Sequence, residues 1–184
     1  VFNLSPFIGL LDWLNATNQF IHTGDAGYLA RLLGEAGRSD TNKAMASAAE
    51  PLRNLSLAMM LCRPLEVMER AGGLARVLPA TTDQLTGWSR PFALLAGRIN
   101  EEYAGRALAE PVNDVEASLS QQLQLVGWYL QHNQIIQGMS LAREWVVTAV
   151  GWQLGLGFVL RRGSREELER AISGVERVGQ VRDG

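Results

Sequence analysis

Proton transfer near neutral pH falls most readily to histidine, and the chain has two, His22 and His132. Neither has a second His or a Cys at ligand spacing, so no metal centre is expected. Each closes a stretch of helical periodicity, where an imidazole can cap the last carbonyls. The one cysteine, Cys62, comes after the apolar stretch Leu57-Ala58-Met59-Met60-Leu61 and reads as a small buried hydrophobe. No Gly-x-Ser-x-Gly elbow is present to present a serine nucleophile. The glycines of residues 151–157 lack the preceding strand that a phosphate loop needs, so no nucleotide cofactor is expected. The carboxylate pairs Glu101-Glu102 and Glu166-Glu167 are adjacent, and neighbours on a helix point about 100° apart. They read as solvated faces rather than an acid–base couple.

Two groupings stand out against this background. Arg143-Glu144 interrupts an otherwise apolar helix, Leu141-Ala142 before it and Trp145-Val146-Val147 after it. Enclosing either ion without a partner would cost several kcal/mol, on the order of the desolvation of one charge, so each needs an opposite charge or water. The second is Val178-Gly179-Gln180-Val181-Arg182-Asp183, an apolar segment that closes on a cation and an anion.

These groups must be positioned by helices. Of the 184 residues, 47% are hydrophobic and 20% charged, with a net charge of −2. That balance excludes a disordered tail, a disulfide scaffold and a strongly basic nucleic-acid binder. All but one of the 17 basic residues are Arg, Lys43 being the exception. The Arg fork grips phosphate or carboxylate at two points. No apolar run approaches the roughly 18 residues of a membrane span, so a cytoplasmic protein is expected, with no membrane contact.

Ser5-Pro6 is a helix start, with Phe7, Leu11, Leu14 and Ile21 on one face. Thr23-Gly24-Asp25 ends that helix and caps a second with Tyr28, Leu29, Leu32 and Leu33. A third runs over about 42–62, kinked or restarted at Pro51. A fourth opens at Pro64 and carries Leu65, Met68, Ala71 and Ala75. Residues 78–89 read as a linker. Pro91 opens a fifth helix with Leu95, Ile99 and Glu102 at helical spacing. Two long helices come next, over about 114–132 and 134–150. Their expected apolar rows are Leu119, Leu123, Val126, Leu130 and Ile135, Met139, Ala142, Val146, Ala149. The short connection at Asn133 forces them antiparallel. Ser164-Arg165-Glu166-Glu167 is a capping box that opens a further helix to about Ile172. No run of alternating β-branched residues predicts a strand. The expected fold is all-α, a multi-helix bundle with a long antiparallel hairpin. Residues 1–90 are expected to form a linker-like region, and 91–184 the hairpin together with the C-terminal helices. One continuous domain is the alternative.

Residues 11–13 with Phe20 and Gly24-Asp25, residues 52–64, residues 91–103 and above all residues 123–147 carry a resemblance. They resemble the helical C-terminal half of the CARF–HEPN ancillary proteins of type III CRISPR systems, the family marked by a DxTHG motif. The resemblance implies a helical linker, then a HEPN domain that dimerises and cuts RNA without metal, switched by a cyclic oligoadenylate bound to a CARF domain. Residues 91–184 would then hold a truncated HEPN-like region. The DxTHG motif is absent here, so this chain cannot sense that messenger by the family route. HEPN nucleases carry Arg, a polar residue and, after four to six intervening residues, His. No Arg precedes His22 or His132 at that spacing. Arg182-Asp183 matches the opening of the motif, which implies Arg182 as a catalytic residue with Asp183 at the polar position.

The expectation is therefore part of a CRISPR-associated antiviral protein resembling a HEPN ribonuclease, inactive or slow by itself. A non-catalytic helical interaction or scaffold module of a defence system is the alternative. Expected partners are RNA, a CARF domain or another CRISPR effector, and a second copy. The homodimer expectation rests on five Trp and the apolar run 145–160.

Overall fold

The computed structural model describes residues 5–38, 43–82, 90–158 and 162–174. Among them are eight α-helices and no strand, the all-α class that the periodicity predicts. Contacts divide the chain into two compact units, Val1–Ala109 and Glu110–Gly184. The division leaves the fifth helix with the first unit, whereas the sequence reading places the boundary at residue 90.

The first unit contains α1 (Ser5–Thr23), α2 (Gly27–Ala36), α3 (Lys43–Met60), α4 (Pro64–Thr82) and α5 (Arg90–Tyr103). α2 packs on α3, α3 on α4 and α4 on α5, while α1 touches both α2 and α5 and so closes the circuit. The break after α1 reflects its turn chemistry. Gly24 adopts a left-handed φ of 73°, and Asp25 Oδ1 accepts a hydrogen bond of 2.8 Å from Gly27 N at the start of α2. The Ala26 amide, buried and outside the reach of any helical carbonyl, donates instead to Ser56 Oγ of α3 at 2.9 Å.

The circuit is closed at the surface by Arg98 Nη1, which donates to Asn18 Oδ1 at 3.3 Å, and inside by a pair of aromatic residues. Phe20 and Tyr103, both buried, stack at 4.6 Å with an interplanar angle of 24°. The Tyr103 hydroxyl donates to the Phe20 carbonyl at 2.9 Å, so the phenol is satisfied although enclosed. After α5, a 3-10 turn (Ala104–Arg106) returns the chain to α4, where Leu108 N donates to Met68 O.

Prolines mark two departures from expectation. α3 runs unbroken through Pro51, and α4 continues through Pro79 to Thr82 where a linker was expected. Proline fixes a φ compatible with a helix and forfeits one hydrogen bond. In α4 the buried row Leu74, Leu78, Thr81 extends past the proline, and Thr81 Oγ1 donates to Val77 O at 2.9 Å. Packing of that row overrides the local cost.

The second unit contains α6 (Val115–Gln131), α7 (Ile135–Gln153) and α8 (Arg162–Ile172). Asp114 caps α6 by accepting from Ala117 N. Asn133, at φ 58°, turns the chain, and Gln134 N donates back to Tyr129 O at 2.8 Å. α6 and α7 are antiparallel, as the short connection requires. Of the expected rows only Val126 is buried. On α6 the buried residues are Ser118, Gln122, Leu125 and Tyr129 with Val126 and Trp128, while Leu123 and Leu130 are exposed. On α7 they are Gly138, Leu141, Val147 and Gly151, while Ile135, Met139 and Val146 are exposed. Two polar residues can be buried because Gln122 Nε2 bonds to Ser118 Oγ. Gly138 is buried because it lies against Tyr129 and Leu130, where it allows the helices to approach closely. α8 begins at Arg162, so Ser164 lies within its first turn rather than capping it.

Two substitutions test this packing by urea denaturation. A methyl at Gly37 would stand 2.5 Å from Ala46 Cβ and 2.6 Å from Ala46 N, so backbone must move. Gly37→Ala is expected to lower stability by about 1–3 kcal/mol, the usual cost of overpacking. Tyr103→Phe keeps the stack and removes one hydrogen bond. It is expected to cost about 1 kcal/mol, because Gly24 N still donates to the Phe20 carbonyl.

Candidate functional site

The Arg143-Glu144 pair singled out by its sequence context lies on α7, facing two side chains of α8. Arg143 Nη2 binds Glu169 Oε2 at 2.8 Å, and Arg143 Nη1 lies 3.7 Å from Glu144 Oε1. Arg165 Nε binds Glu169 Oε1 at 2.9 Å, and Arg165 Nη2 binds Glu144 Oε2. The four side chains form a closed ring of alternating charge, each touching both neighbours of opposite sign. Arg165 and Glu169 are four apart on α8, which puts them on one face. Backbone contacts also hold the α7 side, where Thr148 Oγ1 donates to Glu144 O.

An open cleft beside the ring is lined by Arg143, Glu166, Glu169, Arg170 and Ser173. Glu166, expected on a solvated face, is exposed and borders this cleft. The ring is electrically neutral and no histidine belongs to it. Its chemistry is therefore that of a fastener. Each carboxylate shared between two guanidinium groups holds α8 on α7, where the buried apolar anchors of α8 are Leu168 and Ala171. The sequence shows Arg143-Glu144 as an anomaly, but nothing local announces that the partner is α8.

The other candidate residues are dispersed. His132 stacks on Trp128 at 4.2 Å, and its Nδ1 lies 2.7 Å from Trp128 O, a bond in which the imidazole must donate. It ends α6 as a cap, in keeping with its expected role. His22 lies exposed in the last turn of α1. Cys62, expected to be buried, is half-buried at a left-handed φ of 52° in the turn after α3, because the chain must reverse there into α4. Glu102 pairs with Arg106 at 3.3 Å, and Glu101 is exposed. Trp145 Nε1 donates to Leu119 O at 2.8 Å, so part of the run 145–160 serves the hairpin itself. Arg182 and Asp183 lie outside the described residues. Among those described, no group of three or more His, Cys, Asp or Glu side chains could hold a metal ion, and no helix is long and apolar enough to cross a membrane.

Sequence reasoning missed a second small cluster, on the first unit. Arg31 lies over the Tyr28 ring at 4.8 Å and pairs with Glu35. Asp12 accepts a hydrogen bond from the Tyr28 hydroxyl, which holds the phenol above its usual range. Asp12 and Tyr28 come from different helices, so no sequence spacing links them.

The ring can be tested as a network. Alanine substitution at Glu144, at Arg165 and at both is expected to yield a coupling energy of about 0.5–1 kcal/mol in a double-mutant cycle. Raising salt to about 1 M contracts the screening length to about 3 Å, and the coupling should shrink accordingly. A coupling that is absent at low salt would show that the four charges act independently.

A family model described as CRISPR-associated protein MJ1674, second domain, matches residues 9–107. The match covers more than half of the chain and ends within a few residues of the boundary between the two compact units. No curated protein and no solved structure matches the chain. The closed circuit of α1 to α5 is thus the part to which the family applies, and the chain belongs to the family of CRISPR-associated protein MJ1674, second domain.

Proposed function

We propose that the chain is the helical part of a CRISPR-associated antiviral protein whose effector is a metal-independent HEPN-type ribonuclease. A cyclic oligoadenylate would control it through a CARF domain that this sequence does not contain. The observation that carries this reading is the family match over residues 9–107, which coincides with a self-contained helical unit. In this reading the first unit joins sensor to effector. The second unit contributes the antiparallel hairpin and, beyond α8, Arg182 and Asp183.

The chemistry needs little more than positioning. The RNA 2′-hydroxyl loses its proton and attacks the adjacent phosphorus, charge gathers on the phosphoryl oxygens, and the bond from phosphorus to the 5′-oxygen breaks, leaving a 2′,3′-cyclic phosphate and a 5′-hydroxyl that takes up a proton. The Arg182 guanidinium would hold those oxygens at two points. A histidine would move the proton. His132 is bound to Trp128 and His22 sits at the end of α1, so neither supplies that step in this reading. The working enzyme would be a homodimer to which each copy contributes its Arg182. The second reading is a non-catalytic interaction module. The neutral, mutually paired charges of the α7–α8 ring favour it, since they leave no acid–base couple there.

The protein encoded by the complete gene, incubated with single-stranded RNA in EDTA, separates the two. Cleavage that Arg182→Ala reduces at least about 100-fold, the scale expected for a transition-state charge stabiliser, supports the ribonuclease. Absent cleavage, or cleavage indifferent to Arg182→Ala, supports the interaction module.

A further inference from the structure

A cleft of about 340 Å³ opens between α3 and α4 in the first unit. Pro51 of α3 and Gly73 and Val77 of α4, all half-buried, give it an apolar floor. A Cβ on Gly73 would meet nothing within 4 Å, so the space above that residue is open. Four exposed ions stand around the floor, Glu50 on α3 and Glu69, Arg70 and Arg76 on α4. The half-buried amide of Asn54 joins them from α3.

These groups do not satisfy one another. Elsewhere in the unit Arg31, Arg63 and Arg106 each pair with a carboxylate three or four residues away. Among the described residues, Glu69, Arg70 and Arg76 make no ion pair, and Asn54 makes no side-chain hydrogen bond. The sequence denies Glu69 and Arg76 the usual helical partner. Gly72 and Gly73 occupy the positions three and four after Glu69, and the same two glycines lie four and three before Arg76. Arg76 Nε donates to Gly72 O at 3.3 Å, which leaves both its terminal nitrogens for another group. Glu50 is met by Arg53 at 3.5 Å.

We propose that the cleft binds a short peptide with free ends and apolar side chains, a ligand that neither the family match nor the ribonuclease reading assigns. Unmatched ions of both signs around an apolar floor call for a ligand that carries both signs on an apolar body. An isolated oxyanion would suit the guanidinium groups but would face Glu50 and Glu69. A nucleotide or an RNA base is held by stacking on an aromatic ring, and no aromatic side chain lines the cleft. The ions also set the length. Glu69 and Arg76 are two turns apart on α4, about 10 Å along the helix axis. The ammonium and carboxylate of a single amino acid are too close together to reach both, whereas an extended chain of three residues spans about 10 Å. Glu69 receives the ammonium and Arg76 the carboxylate. Arg70 donates to a peptide carbonyl, Asn54 both donates to and accepts from the peptide main chain, and an apolar side chain lies over Gly73.

NMR titration of the isotope-labelled full chain with the tripeptide Leu-Gly-Leu tests the assignment. The backbone amides of Asn54 and Gly73 are expected to shift, with a Kd of about 1 mM or tighter. N-acetylation and C-amidation of the peptide are each expected to weaken binding about fivefold, because each leaves one ion unmatched, and free leucine is expected to bind no better than the capped forms. Glu69→Gln is expected to weaken the unmodified peptide by the same factor and to leave the acetylated one unaffected. Arg76→Gln is expected to behave likewise towards the amidated one. The absence of shifts at Asn54 and Gly73 up to about 10 mM peptide overturns the proposal. Equal binding of the capped peptides or of free leucine overturns it too. Inorganic phosphate that binds at these amides more tightly than the tripeptide would make the cleft an anion site instead. The capping series needs no variant protein, so a substitution that disturbs the fold leaves the test decisive. RNA cleavage dependent on Arg182 bears on none of these outcomes, so this proposal and the ribonuclease reading stand or fall separately.

Discussion

The first unit depends on closing a circuit between residues far apart in sequence. α1 and α5 have little claim on each other by local preference, and ordering the chain between them costs entropy that contacts must offset. Phe20 and Tyr103 provide the buried part of that contact, beside the surface bond from Arg98 to Asn18. Their stacked rings supply apolar burial and a defined orientation, and the hydroxyl-to-carbonyl bond sets the rotation of α5 against the last turn of α1. The carbonyl of Phe20 already accepts from Gly24, so the bond fastens α5 to the same turn that releases the chain into α2. One locus therefore governs both the end of the first helix and the seat of the fifth.

Much of this was legible in the sequence, and the exceptions have physical causes. Helix starts at Pro64 and Asp114 and the break at Thr23-Gly24-Asp25 could be read because capping and turn chemistry are local. The linker expected over 78–89 starts too early because the burial of Leu78 and Thr81, which carries α4 to Thr82, is not visible in the sequence. The rows on α6 and α7 were misread for a related reason. Hydrophobic spacing identifies an apolar stripe, but it cannot distinguish a stripe turned inward from one reserved for something else. Ser118, Gln122 and Gly138 look poor as core residues until their hydrogen bond and close approach are known. At the candidate site, Arg143 and Glu144 stood out, while Arg165 and Glu169 became relevant once α8 was seen to pack on α7.

The two units use opposite strategies. The first relies on aliphatic and aromatic burial, with exposed ion pairs of the i, i+3 or i, i+4 kind such as Arg31–Glu35 and Arg63–Glu66 at its surface. Such pairs contribute little. The second holds α8 with two buried apolar residues and a shared set of charges. Membership of a CRISPR-associated family attaches to the first strategy, the circuit, and the proposed catalysis attaches to the second.

The close contact at Gly37 has a consequence for motion. Where side chains separate two helices, rotamer changes let them slide or tilt. Between Gly37 and Ala46 no side chain intervenes on the glycine side, so the Gly37 main chain rests on the methyl and main chain of Ala46 and that freedom is missing. The C-terminal end of α2 and the start of α3 are therefore pinned to each other at this one point.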